Sequence, residues 1–144
     1  MNSTAAATAG ALTFLWLGMV LGISFLEAPL KFRAPGVSIP IGLGIGRIVF
    51  RALNLVETAL AVAVAVAVAV GSPPTAVIVL TAVAVVLLAV QLGVVRPRLN
   101  KRSDRVLAGE TDLPRSRGHY VYVALEGVKV ALLVALGVVA LAAG

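Results

Sequence analysis

The chain has 144 residues, 60% of them apolar and only 12% charged, with a net charge of +6 and no Cys. A soluble domain carries about a quarter charged residues, so this composition excludes an ordinary soluble enzyme, a disordered chain and a disulfide scaffold. The missing Cys also removes thiolate metal sites and cysteine nucleophiles, and the length suits one domain, 1–144. What remains is a polytopic membrane protein of the all-α class.

A membrane helix needs about 20 mostly apolar residues. Residues 1–26 carry no charge, which predicts a first span near 9–30. Met1-Asn2-Ser3-Thr4 has no basic start and no small-residue cleavage site follows, so a cleavable signal peptide is not expected. Span 1 ends at Glu27, with Lys31 one turn on, and a connection over 31–41 follows. A second span is predicted near 42–71, opened by Gly42-Leu43-Gly44-Ile45-Gly46. Those glycines follow a loop rather than a strand, so they read as close-packing positions and not as a dinucleotide fingerprint. Within span 2, Ala61 to Val70 alternates Ala and Val with the period of a strand. In lipid a helix satisfies its own backbone, and helix is expected there.

Residues 58–95 are charge-free and too long for one span. Gly71-Ser72-Pro73-Pro74 divides them at a strong turn signal, which puts a third span near 75–95. A second connection over 96–117 is crowded with Arg96, Arg98, Lys101, Arg102, Arg105, Arg115 and Arg117. Asp104, Glu110 and Asp112 balance part of that charge as a solvated face. A fourth span is predicted near 118–143. The N-terminus, the Gly71–Pro74 turn and the C-terminus carry no basic side chain, so the positive-inside bias predicts both termini outside and both connections cytoplasmic. The basic face is then expected to meet anionic lipid headgroups rather than nucleic acid. Arg47, Arg96 and Arg98 read as interface anchors.

Charged groups inside spans are rare and costly, which makes them functional candidates. Arg47, Arg51, Asn54 and Glu57 recur at spacings of four, three and three on span 2, and His119, Tyr122, Glu126 and Lys129 at three, four and three on span 4. Glu27 ends span 1 and Gln91 lies near the end of span 3. All fall in the predicted cytoplasmic half. Glu57 lies roughly 21 Å from the outer turn at 1.5 Å per residue, and Lys129 lies at a similar depth, so the two are expected to pair. Glu126, one turn shallower, is placed to meet Arg47 or Arg51. With one His and no Cys, a zinc, haem or copper site is not expected, nor any cofactor.

Two resemblances bear on the reading. The segment Gly22-Ile23-Ser24-Phe25-Leu26-Glu27-Ala28-Pro29-Leu30-Lys31-Phe32-Arg33, the Gly44-Ile45-Gly46-Arg47 opening of span 2, Arg96-Pro97 and His119 together resemble the four-span domain of unknown function in transmembrane protein 205 and its bacterial relatives. That implies a four-helix membrane bundle and no particular chemistry. More narrowly, Arg47 to Glu57 is similar to the span-2 motif of the glutathione and eicosanoid membrane enzymes, which also places Asn and Glu three apart, as Asn54 and Glu57 are. Such a likeness implies a trimer with a cytoplasmic-facing site. Here Thr58-Ala59-Leu60 stands where that family usually has a proline, and span 3 offers only Gln91.

Three functions fit these residues. The first is binding or transport of a small solute, ion or amphiphile at the polar cluster, expected ahead of catalysis. The second is an accessory or assembly subunit of a larger membrane complex, with structural polar pairs. The third is a membrane enzyme of the glutathione type. Four helices enclose little space, which predicts a homo-oligomer or a complex. The Ala/Val-rich basic composition suits a bacterial inner membrane.

Overall fold

The computed structural model describes residues 1–109 and 117–144, and side chains in the last stretch from Tyr120 onward. The described residues form helices joined by turns, with no strand. Four helices are long and apolar enough to cross a membrane: α1 (Ser3–Arg33), α2 (Ile39–Val70), α3 (Thr75–Leu107) and α4 (Arg117–Ala142, apolar from Tyr120 onward). This is compatible with an integral membrane protein.

Local chemistry sets the helix ends. The Asn2 side chain accepts hydrogen bonds from the backbone N–H of Thr4 and Ala5, which starts α1 six residues before the expected position. The Ser38 hydroxyl caps α2, with Pro40 in its first turn, where a missing N–H costs nothing. The Ala-Val run is helical to Val70, and its buried positions Ala61, Val64, Ala67 and Val68 keep helical spacing.

The third helix differs more from expectation. It continues to Leu107, so Arg96 to Arg105, read as a connection, are helical. Glu110, Asp112 and Arg115 lie outside the described residues, as does the His119 side chain. Both α1 and α3 change pitch in mid-course: Leu21–Glu27 and Gln91–Val95 are π-helical. Each π segment ends two residues before a proline, Pro29 and Pro97. Proline has no N–H for the carbonyl four residues back. Those carbonyls belong to Phe25 and Gly93, both inside the π segments, where bonding five residues apart takes over: Ala28 N–H donates to Ile23 and Arg96 N–H to Gln91.

Both chain ends and the α2–α3 turn meet at one end of the bundle. Asn2 N–H donates to the Gly71 carbonyl at 3.0 Å, and a Cβ on Gly71 would stand 2.6 Å from that of Ala5. The opposite end holds the α1–α2 connection and the basic part of α3. The apolar core, including Ala9, Val20, Val64, Ala84, Leu88, Leu133 and Leu136, fills the terminal half. Large apolar side chains such as Ile48, Leu55, Val62 and Val86 cover the outside. In lipid such an apolar surface would supply no drive for association, and small residues and interhelical polar bonds would then hold the helices together. Gly10 serves this way, because a Cβ there would stand 2.4 Å from the Leu141 side chain of α4.

Candidate functional site

Beyond the apolar core towards the basic end, six residues form a polar network, two each from α1 and α4 and one each from α2 and α3. Glu57 of α2 and Lys129 of α4 are 0% exposed, and Gln91 of α3 and Glu126 of α4 are 1% exposed. Lys129 Nζ is 2.5 Å from Glu57 Oε1, 2.6 Å from Glu126 Oε1 and 2.9 Å from Gln91 Oε1. An ammonium has three donors, and these three oxygens use them all. Trp16 of α1 donates its indole N–H to Glu57 Oε1 at 2.9 Å. Gln91 donates to Glu126 Oε1 at 2.7 Å, and Ser24 donates its hydroxyl to Glu126 Oε2 at 2.6 Å. Both π segments therefore supply a ligand to one carboxylate, Ser24 from α1 and Gln91 from α3. A buried charge is tolerated only when paired and hydrogen-bonded, and the network meets that condition for every oxygen except Glu57 Oε2.

The residues expected on the α2 stripe separate. Glu57 turns into the bundle, while Arg47 is half-buried nearer the basic end and Arg51 is exposed. At 3.6 residues per turn, six residues from Arg51 to Glu57 leave the two about 120° apart, so that spacing spreads over a wide arc. The expected meeting of Glu126 with Arg47 or Arg51 is not made: Arg47 instead forms an ion pair with Asp104 of α3, and the groups on Glu126 are Lys129, Gln91 and Ser24. Glu27 pairs with Lys31 one turn on, at 3.8 Å. Arg51 and Asn54 line a second cavity of about 540 Å³ between α2 and α3, so Arg51, Asn54 and Glu57 do not converge. On α4 the described part of the stripe holds, with Tyr122 buried beside the buried Glu126 and Lys129.

Arg96 departs from its expected place as an interface anchor. Its guanidinium lies over two aromatic rings, 4.6 Å from the Phe50 centroid and 4.3 Å from that of Tyr122, and the rings themselves meet edge to face. Arg96 directly follows the π segment Gln91–Val95, and residue spacing gives no cue to its inward position. Its Nε and Nη2 are buried without a hydrogen-bond partner. Arg96 lines both the second cavity and a larger one of about 700 Å³. This larger cavity opens among all four helices at the basic end, between apolar walls that include Phe25, Phe32, Leu43, Phe50 and Val123. Its charged groups are Lys31, Arg47, Arg96 and Arg102, with Glu126 the carboxylate among its lining residues. A Cβ on Gly42 would stand 2.1 Å from the Phe32 ring, so this glycine lets that ring form the wall.

Trp16, Ser24, Phe50 and the inward Arg96 were not among the site residues expected from sequence. Trp16 had a readable signal: a lone tryptophan in mid-span, away from the interfacial belt, needs a partner for its N–H. Ser24 and Phe50 had none. No group of three or more His, Asp or Glu suited to a metal occurs among the described residues. No family model, curated protein or solved structure matches the chain.

Proposed function

We propose that this chain is a small integral membrane protein that binds an anionic amphiphile in the cavity at its basic end, as a binding protein or carrier. The observation that carries this reading is the cavity itself. It pairs aromatic and aliphatic walls with an inward arginine that has unpartnered donors, and among the described residues cationic side chains outnumber the single carboxylate lining it. Apolar walls with a few placed polar groups are the usual make-up of a small-molecule site. The head group would lie on Arg96, and the tail along Phe25, Phe32 and Val123. In the orientation we assign, the termini face outside and the basic end faces the cytoplasm, where Lys and Arg concentrate. A bacterial inner membrane and a homo-oligomer belong to the same proposal, on composition and on the small enclosed volume.

An accessory-subunit role is the second reading. It is favoured by the Glu57, Glu126, Lys129 and Gln91 network, which consumes its polar groups inside the bundle as interhelical bonds. The test is native mass spectrometry of the full chain in mild detergent, with phosphatidylglycerol or phosphatidylcholine added. Selective retention of phosphatidylglycerol, lost in Arg96→Met, is the expected result. Equal retention of both lipids, or retention unchanged by Arg96→Met, would overturn the binding reading and leave the accessory role. The same spectra count the subunits.

A further inference from the structure

The smaller cavity, a groove between α2 and α3, makes a second site with its own mouth. We propose that it binds the phosphate of a phospholipid from the surrounding leaflet, with an acyl chain running down α2 past Leu55 and Val62. This requires the bundle to span a membrane, but it does not require the four-helix cavity to bind anything.

The groove opens outward. Ile48 and Leu55 line it on α2 and are 74% and 67% exposed, so its mouth faces what surrounds the bundle. Depth decides what that is. At 1.5 Å per residue, Asn54 lies roughly 24 Å and Arg51 roughly 29 Å from Val70, where α2 ends. A hydrocarbon core about 30 Å thick that begins at the α2–α3 turn therefore ends near Arg51. Asn54 and Leu55 then lie just inside the apolar layer, at the level of a lipid's glycerol.

The polar groups at that level are donors. Arg51 is exposed and has no hydrogen bond or ion pair among the described residues. Arg96 contributes to the wall from α3, and its buried Nε and Nη2 have no hydrogen-bond partner. The Oδ1 of Asn54 is buried, which leaves the amide N–H groups for the groove. Arg47 is already engaged by Asp104, and among the described residues no carboxylate lines the groove. Guanidinium and amide donors fit a phosphate, whose oxygens accept hydrogen bonds and which arginine grips with two parallel bonds.

The apolar wall selects a lipid over a free anion. Leu55 and Leu92 line the groove on the membrane side of the arginines, and the exposed Val62 continues from Leu55. Positions 51, 55, 58 and 62 recur at four, three and four on one side of α2, so a chain descending from a phosphate on Arg51 stays on this helix. Inorganic phosphate gains nothing from that wall.

The test exploits the absence of Cys. Val62→Cys, on the chain path but outside the groove lining, carries a fluorescent label, and Val138→Cys on α4, 56% exposed, carries it as the reference. The full chain is placed in mixed phosphatidylcholine and phosphatidylglycerol vesicles, with one lipid or the other brominated in its chains so that it quenches on contact. Phosphatidylcholine bears a quaternary ammonium beside its phosphate, which the arginines repel. The expected result at Val62 is association of phosphatidylglycerol about fivefold stronger than of phosphatidylcholine, the effect of one arginine at an anionic surface, with no preference at Val138. Arg51→Gln should remove most of that preference. Arg98→Gln, an exposed arginine outside the groove, and Lys31→Met, which lines only the four-helix cavity, should leave it in place. Equal quenching by both lipids at Val62, or a preference that Arg98→Gln lowers as much as Arg51→Gln, would overturn the site and leave diffuse attraction to the basic end. Loss in Lys31→Met but not in Arg51→Gln would put the lipid in the four-helix cavity and overturn it too. So would a Val62 label that neither lipid quenches, as when a second copy covers the groove, or a preference that inorganic phosphate abolishes at constant ionic strength.

Discussion

Removing the Lys129 ammonium should be among the most damaging single changes the bundle can suffer. Lys129→Met keeps much of the side-chain length but strands Glu57 and Glu126, both fully buried and both within 2.6 Å of the lost nitrogen. Breaking a buried ion pair by deleting one partner costs about 3–5 kcal/mol. Here one deletion unpairs two carboxylates and also frees Gln91 Oε1, which puts the loss at about 5 kcal/mol, the upper end of that range. The same reasoning predicts rescue. Replacing a whole buried ionic set by neutral groups is often close to neutral, so Glu57→Gln and Glu126→Gln added to Lys129→Met should recover most of the loss. The assay is equilibrium unfolding from dodecyl maltoside into dodecyl sulfate, followed by fluorescence. Trp16 is the only tryptophan and donates to Glu57, so its emission reports this network directly. A Lys129→Met loss under about 1 kcal/mol would refute the reasoning, because surface-like pairs cost that little. So would a triple variant no more stable than the single one.

Trp16→Phe keeps the ring in the core but removes one donor from Glu57 Oε1, and should cost about 1.5–3 kcal/mol as a lost hydrogen bond to a charged group; helical circular dichroism against temperature reads it. Arg47→Ala deletes an ion pair to Asp104 whose side chains are 39% and 58% exposed, and should change stability by less than about 1 kcal/mol in the same unfolding assay. Gly42→Val forces the Phe32 ring from the cavity wall, with an overpacking cost of about 1–3 kcal/mol. Phosphatidylglycerol retention in native mass spectra should fall with it.

The π segments tie these expectations to the backbone. Ser24 and Gln91 reach Glu126 from helices whose pitch has been altered by Pro29 and Pro97. Either proline replaced by Ala lets a regular α-helix form through the segment, which turns the residues beyond it relative to those before it. Amide-region infrared spectra would register the restored α-helical bonding.

Much of this protein was decided by composition and order along the chain. Four apolar runs, the Gly71–Pro74 break and the one-sided basic residues are one-dimensional properties, and four helices of spanning length follow from them because a lipid-facing backbone must bond to itself. The helical spacing of Tyr122, Glu126 and Lys129 lies within one element, so it too was legible. Other features depended on how helices approach one another. Spacing on α2 suggested that Arg47, Arg51 and Glu57 act together, yet the angle at which α2 meets its neighbours sends Glu57 inward and leaves Arg47 to Asp104. Glu126 draws its ligands from 102 residues away at Ser24 and 35 away at Gln91. Arg96 reads in sequence as one of many basic residues after a span, and only the packing of α2, α3 and α4 places it between Phe50 and Tyr122. Hydropathy fixes which segments are helices, but long-range contact decides which of their polar side chains share a site.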